Sequence, residues 1–264
     1  MKNVHYTYDN IQDFYDDIKR AKPEGNKERL LSHLGSDEPG FRGLSLEEIK
    51  KNKYNYQKGL DQLKELELNI DVGGSSREYK YDEFDGDDMN YDRLLEGFPC
   101  MRKRIKTHGI GSGRLINLYV VVSENCGVSH KEMLNKSLTA IRIADMLENM
   151  GYRVSIYSCD HTNDRWGSFK GESGVDYQLS VCLKRPEDSL NKGLILTGIS
   201  PWFFRYYMFA HQMGSYIPGP GLGSSIEMQL EQTKENIVIN HGECLSEENS
   251  IVKIKQIEKL FSAE

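Results

Sequence analysis

"INLYVVVSENCGVS", residues 116–129, decides the fold. An apolar run rich in β-branched residues climbs to Val122, then breaks into Ser123, Glu124, Asn125, Cys126 and Gly127. Apolar residues on both faces of the run read as a central strand. A strand that ends in a small polar loop ahead of a long helix is where open α/β sheets place ligands. The residues beyond the loop spell out that helix. Ser129 is positioned to cap it, and Met133, Leu134, Leu138, Ile141, Ala144 and Leu147 repeat at amphipathic spacing. Gly151 stands where a helix begun at His130 and run to about Met150 needs its C′ residue.

Strand and helix signals then alternate. "YRVSIYSCD" (152–160) is a second strand, expected to return parallel to the first through a right-handed crossover. "VDYQLSVCLKR" (175–185) is a third, with a direction the sequence leaves open. A helix begins within 188–197, and Ser200-Pro201 starts another that runs to about Met213. "ENIVIN" (235–240) is a short buried strand, and 249–262 form a closing helix. The fold class is α/β, a Rossmann-like central sheet flanked by helices.

Upstream of about residue 110 the character differs, and we expect residues 1–80 to form a helical N-terminal extension to an α/β domain spanning 81–264. In "DNIQDFYDDIKRAK" (9–22), Ile11, Phe14, Tyr15 and Ile18 keep helical spacing. "SLEE" (45–48) is a capping box that opens a helix running to about Leu68. An acidic segment holds Asp82, Glu83, Asp85, Asp87 and Asp88, but Gly86 comes too early for a calcium loop. "CMRKRIKTHGIGSGR" (100–114) reads as a hairpin arm leading into the 116 strand. Its basic residues Arg102, Lys103, Arg104, Lys106 and Arg114 either protect a sheet edge or contact nucleic acid. "GIGSG" lacks the Lys-Ser/Thr of a phosphate loop and precedes a strand rather than a helix.

Composition narrows the function classes. The 264 residues carry a formal net charge of −6, against a general nucleic-acid coat protein. No run approaches the roughly 18 apolar residues of a membrane span, and the first residues lack a signal-peptide pattern. The five cysteines, Cys100, Cys126, Cys159, Cys182 and Cys244, are odd in number and contain no CxxC pair. That usage fits a reducing compartment, so a cytoplasmic location is expected. No HExxH, GxSxG or Walker pattern occurs, and no catalytic residue is assigned.

The order strand, loop, helix, strand, strand, helix, strand, helix, with the run from Ile116 through "ENMGYRVSIYSC", resembles the von Willebrand factor A (vWA) domain. It is similar in particular to an uncharacterised family of bacterial and phage proteins with a vWA-like core. In that family an acidic "GD" segment and a "G-P-C-M"-like turn precede the core; Gly86-Asp87-Asp88 and Gly97-Phe98-Pro99-Cys100-Met101 are their counterparts. The resemblance covers roughly residues 80–262. It implies a loop after the first strand, D-x-S-x-S, that helps to hold Mg²⁺, completed by a Thr and by an Asp, often within "DG". Ser123 stands at the Asp position, Asn125 at the first Ser and Gly127 at the second. Thr197 is the retained oxygen candidate, and His241-Gly242 replaces "DG". A hard cation needs a carboxylate to offset its dehydration, so the loop reads as a degenerate metal site and no cofactor is expected.

Two further patterns carry chemistry. Cys126, Cys159, His161, His241 and Cys244 follow strand ends that share one sheet face, so zinc there is an alternative, as is a metal-dependent enzyme or nucleotide-binding protein using Cys126, His161, His241 and Glu243. "SPWFFRYYMFAHQMG" (200–214) is apolar around nearly the whole helical cylinder. It is either a deeply buried helix or, through Trp202, Phe203, Arg205 and Tyr206, an exposed partner-binding surface. The first reading is a non-enzymatic interaction protein, an adaptor or phage accessory. Its expected partner is another protein, a host factor or an AAA+ ATPase as the resemblance implies.

Overall fold

The computed structural model describes residues 2–20, 22, 25–66, 79–83, 88–89, 91–95, 97–104, 113–125, 127–164, 174–215 and 224–262. In chain order the first elements are β1 (Lys2–Tyr8), α1 (Ile11–Ile18), α2 (Lys27–Gly35), α3 (Pro39–Arg42), α4 (Leu46–Lys51) and α5 (Gln57–Leu66). There follow β2 (Tyr79–Asp82), β3 (Asp88–Met89), α6 (Tyr91–Leu95) and β4 (Met101–Arg104). The α/β half holds β5 (Leu115–Val121), α7 (His130–Asn149), β6 (Arg153–Asp164), β7 (Val175–Lys184) and α8 (Lys192–Gly198). A π-helical segment, Phe203–Met208, continues as α9 (Phe209–Ser215), and β8 (Ser224–Ser225), β9 (Asn236–Ile239) and α10 (Glu247–Ser262) close the chain.

The protein is a mixed α/β fold. Its main sheet has the order β1-β7-β6-β5-β9, with β8 paired to β6. β5 pairs parallel to both β6 and β9, whereas β7 runs antiparallel to β6, which settles the third strand's direction. Ser129 caps α7 through a reciprocal box with Glu132, and Gly151 takes φ 91° just beyond the helix.

Helices cover one face of this sheet. Ile116, Leu118 and Val120 of β5, Val154 and Ile156 of β6, and Leu179 and Val181 of β7 join one core with Leu138, Ile141, Trp202 and Ile254. The intervening residues point the other way. There Val121, Cys159 and Val238 form a small separate cluster, flanked by Tyr119, Tyr157 and Met228. Among the described residues no helical side chain joins that second cluster.

Three expectations are corrected. Residues 2–8 are a strand, so the N-terminal segment is not wholly helical: β1 adds to the sheet edge parallel to β7, with Tyr8 opposite Val181. Its helices share the core, since Phe14, Leu30, Ile49 and Tyr56 pack within the same cluster as the α/β half. The helix begun at Ser45 ends at Lys51, because the chain turns so that Tyr56 N–H donates to Gly193 O (3.3 Å) before α5 begins. The basic arm does not form a hairpin with β5; β4 is the middle strand of a second sheet, order β2-β4-β3.

Candidate functional site

The carboxyl ends of β5, β6 and β9 meet as the sequence implies, but Ser123 is not free to bind anything. Its hydroxyl donates to His161 O (3.2 Å) and accepts from His161 N–H (3.1 Å), knitting the end of β5 to β6. Glu124, the next residue, is the carboxylate of the site. Its partner is Lys136, which projects from the second turn of α7, and both side chains are fully buried.

An ammonium has three protons to give, and Lys136 gives all three inward. They go to the Glu124 carboxylate, to Val121 O (2.9 Å) and to Asn240 O (2.9 Å). One cation thus joins the end of β5, the loop after it and the end of β9. Burial pulls the Lys136 pKa below its ordinary value, and the neighbouring Glu124 carboxylate opposes that shift. The other bonds to Glu124 come from Gly242 N–H (3.1 Å) and His241 Nδ1 (2.9 Å). His241 Nδ1 also faces Ser123 O (3.1 Å); both partners accept, so Nδ1 carries the proton. Glu243 accepts from Asn240 N–H (2.7 Å) and pairs with Lys253 of α10 (2.9 Å). Asn125, Gly127 and Gly242 form the exposed rim, with His241 partly exposed.

The other site candidates are distributed differently. Thr197 lies buried within α8 and donates to Asn52 O (3.2 Å). The zinc set is divided by the sheet: Cys244 packs in the main core and Cys159 in the small cluster on the opposite face. Burial pushes the Cys159 thiol up to about 12 and the Cys244 thiol up to about 11, away from the thiolate a metal requires. His161 Nε2 instead lies 3.1 Å from Asp176 Oδ1. No group of three or more His, Cys, Asp or Glu among the described residues is arranged to hold a metal ion. Cys126 and Lys106 lie outside the described residues, as do Asp85, Gly86 and Asp87 of the acidic segment. Arg102, Lys103 and Arg104 are placed by their backbone in β4, and Arg114 precedes β5, exposed.

Trp202, Phe203, Arg205 and Tyr206 are buried, which removes them as a surface for another molecule. They do form an interface, but with the chain's own N-terminal segment. Arg205 donates to Phe41 O and to Val128 O, each at 2.7 Å. Tyr206 donates to Leu34 O (3.0 Å), and Trp202 meets Tyr56 edge-on at 5.7 Å. Every residue of the π segment, Phe203–Met208, is buried.

Sequence reasoning missed two features. Lys136 left a signal, a lone lysine between Met133 and Ala140 on the apolar stripe of α7. The second is a network around His211, assembled from distant segments. His211 Nε2 lies 2.7 Å from the Tyr8 hydroxyl, which itself donates to Asp17; His211 Nδ1 lies 2.5 Å from the Tyr177 hydroxyl. With the Tyr8 proton committed to Asp17, Nε2 is the protonated nitrogen and Nδ1 accepts. Lys22 completes the group, 2.8 Å from Asp17 Oδ2. The His211 contact and the Lys22 ammonium hold the Asp17 carboxyl well below the usual range, while burial pushes the His211 imidazole down. Tyr6, Tyr8, Asp17, Arg20 and Lys22 line a cleft of about 410 Å³ beside it.

One family model, described as Domain of unknown function (DUF7192), matches residues 1–264. The chain belongs to that family. No curated protein matches the chain, and no solved structure matches it. The family match runs through both the N-terminal segment and the α/β half, as the shared core does.

Proposed function

We propose that the protein is a non-catalytic interaction module on a vWA-like core, in which the metal position has been taken over by a lysine. The order of elements from β5 to α10 supports the vWA-like reading, as it did in the sequence. The observation that carries the proposal is the Lys136 ammonium, buried at the mouth of the loop with all three donors used and Glu124 as its counter-charge. A cation tethered by its own side chain supplies the local positive charge that a bound ion would otherwise bring. It leaves the loop neutral and rigid, suited to presenting a fixed rim rather than to exchanging ligands. The rim of Asn125, Gly127, His241 and Gly242 is the surface we assign to a protein partner, with a host factor or an AAA+ ATPase as the partner class the resemblance implies.

The first test is the metal content of the purified, tag-free protein, with melting measured with and without EDTA and added Mg²⁺. The reading expects neither bound metal nor a shift. Equimolar metal together with a clear EDTA-induced drop would overturn it. Partner capture would then be compared between the parent and Asn125→Arg or Gly127→Arg, exposed positions at which both variants are expected to lose the partner while melting as the parent does.

A further inference from the structure

The sheet face opposite the helices carries a groove that the interaction rim does not use. Tyr119 of β5 and Tyr157 of β6 are register partners on this face, and their rings stack with centroids 5.0 Å apart and planes 16° from parallel. They are tall side chains beside a row of short ones. In the next row, Cys159 of β6, Ser180 of β7 and Thr7 of β1 follow one another across three strands. In the row beyond, His161, Gln178 and His5 are likewise register partners. Short residues between two taller rows make a trough that runs across the strands. Met228 and Leu230, from the extended segment after β8, close one side of a cavity of about 370 Å³.

The chemistry of the lining is specific. Charged residues make up 28% of the chain, yet no Lys, Arg, Asp or Glu is among the described residues lining this cavity. Hydrogen-bonding groups come instead from two amides (Gln178 and Gln229), two hydroxyls (Ser180 and Thr7) and an imidazole (His5). Four are held in place, since Gln178 Nε2 contacts His161 Nε2 (3.1 Å), His5 Nε2 contacts Thr7 Oγ1 (3.0 Å) and Ser180 Oγ contacts Cys159 Sγ (3.5 Å). The stacked pair, with Val238 beyond Tyr119 and Cys182 beyond Tyr157 in the same row, stands partly exposed as an aromatic wall along one side of the trough.

We infer that this groove binds a neutral sugar ring of an oligosaccharide. A pyranose presents an apolar C–H face to lie against a tyrosine ring, and a rim of hydroxyls that exchange hydrogen bonds with amide, hydroxyl and imidazole groups. A polynucleotide is disfavoured by the same lining, because no Lys or Arg is among the described lining residues to neutralise its phosphates, and the chain's charge of −6 repels them.

The test is a titration of the full-length protein with neutral oligosaccharides (cellohexaose, maltohexaose and chitohexaose), read by saturation-transfer NMR and calorimetry, with adenosine and uridine as comparison ligands. Saturable binding of at least one sugar is expected, with transfer to its ring C–H protons. Tyr157→Ala is expected to weaken it about tenfold, the loss of one aromatic contact. Ser180→Leu fills the trough without removing either ring and is expected to abolish binding while leaving the melting temperature near that of the parent. Absence of binding by all three sugars would overturn the proposal, as would binding of the nucleosides alone or binding that survives Ser180→Leu. Neither result bears on the rim proposed for the protein partner, because the groove and the rim share no residue.

Discussion

Lys136 Nζ and the Glu124 carboxylate form an ion pair at the carboxyl end of β5, with neither side chain exposed to solvent. Burying two charges is costly, and removing one of them leaves the other uncompensated, at about 3–5 kcal/mol. Lys136→Met and Glu124→Gln are each expected to destabilise the fold within or near that range. The double variant is expected to lose less than the sum of the two. Urea unfolding of the four proteins measures this coupling directly. Additive losses would mean that the two groups do not stabilise each other, and the tethered-cation reading would go with them.

His211 is contacted from β1 by Tyr8, from α1 by Asp17 and from β7 by Tyr177, while Ser215 of its own helix lies 3.2 Å away. The rings of Tyr6 and Phe14 also face it, and Lys22 stands behind Asp17. Its folded pKa lies below the ordinary 6.5, so the unfolded chain binds a proton first as pH falls. Its contribution is intact above about pH 6.5 and is lost as pH drops below that value. The depressed Asp17 carboxyl acts in the same direction, below its ordinary 3.8. His33, also pushed down by burial, adds to the upper window. The His211 and His33 contributions therefore lower the melting temperature between pH 7 and pH 5, against the opposite contribution of Asp160 in the same window. His211→Gln, less stable at pH 7, is expected to show a shallower fall across this window. An unchanged slope would show that His211 does not titrate with unfolding.

Arg205 holds two separate pieces of chain through the carbonyls of Phe41 and Val128. A lysine has one compact charged head and cannot span both. Hydrogen bonds to a charged group contribute about 1.5–3 kcal/mol, so Arg205→Lys is expected to cost an amount of that order. The loss is expected to concentrate in α2 and α3, which dock on the π segment. Hydrogen exchange of residues 27–42 is the readout: faster exchange there, with the β5–β6 ladder unchanged, is the expected pattern. Uniform acceleration across the protein would count against a local clamp.

The core of the fold was legible because its signals are local. The run to Val122, the capping box at Ser129 and the glycine at 151 lie close together in the chain and together define β5 and α7. β1 was illegible for the opposite reason. Its alternating pattern is muted by exposure, and its partner, β7, lies more than 160 residues away in the chain. The 200–214 stretch announced an excess of apolar surface, but not that residues 1–66 would cover it. In the loop, the absence of an aspartate between Ser123 and Gly127 could be read directly. That Glu124 turns inward to a lysine on the next helix depends on a helical phase that places Lys136 under the strand end. The His211 network joins side chains from four segments, and no spacing in the sequence encodes that meeting.

Asp160 yields a prediction opposite in sign to that for His211. It lies buried on β6, with Oδ2 accepting from Gln212 Nε2 (3.1 Å), while Asp160 Oδ1 and Gln212 Oε1 have no hydrogen-bond partner. Burial pushes its pKa up to about 8, far above the ordinary 3.8. A raised folded pKa means that the native state holds the proton longer than the unfolded chain does. Its contribution is fully present below about pH 3.8 and is lost as pH rises towards and through about 8. An asparagine of the same shape never ionises and keeps an oxygen to accept from Gln212 Nε2. Asp160→Asn is therefore expected to melt higher than the parent at pH 8, with the advantage shrinking towards pH 5. Melting curves of the two proteins across that range decide the matter, and a difference that stays constant with pH would show that Asp160 is ionised in the folded protein throughout.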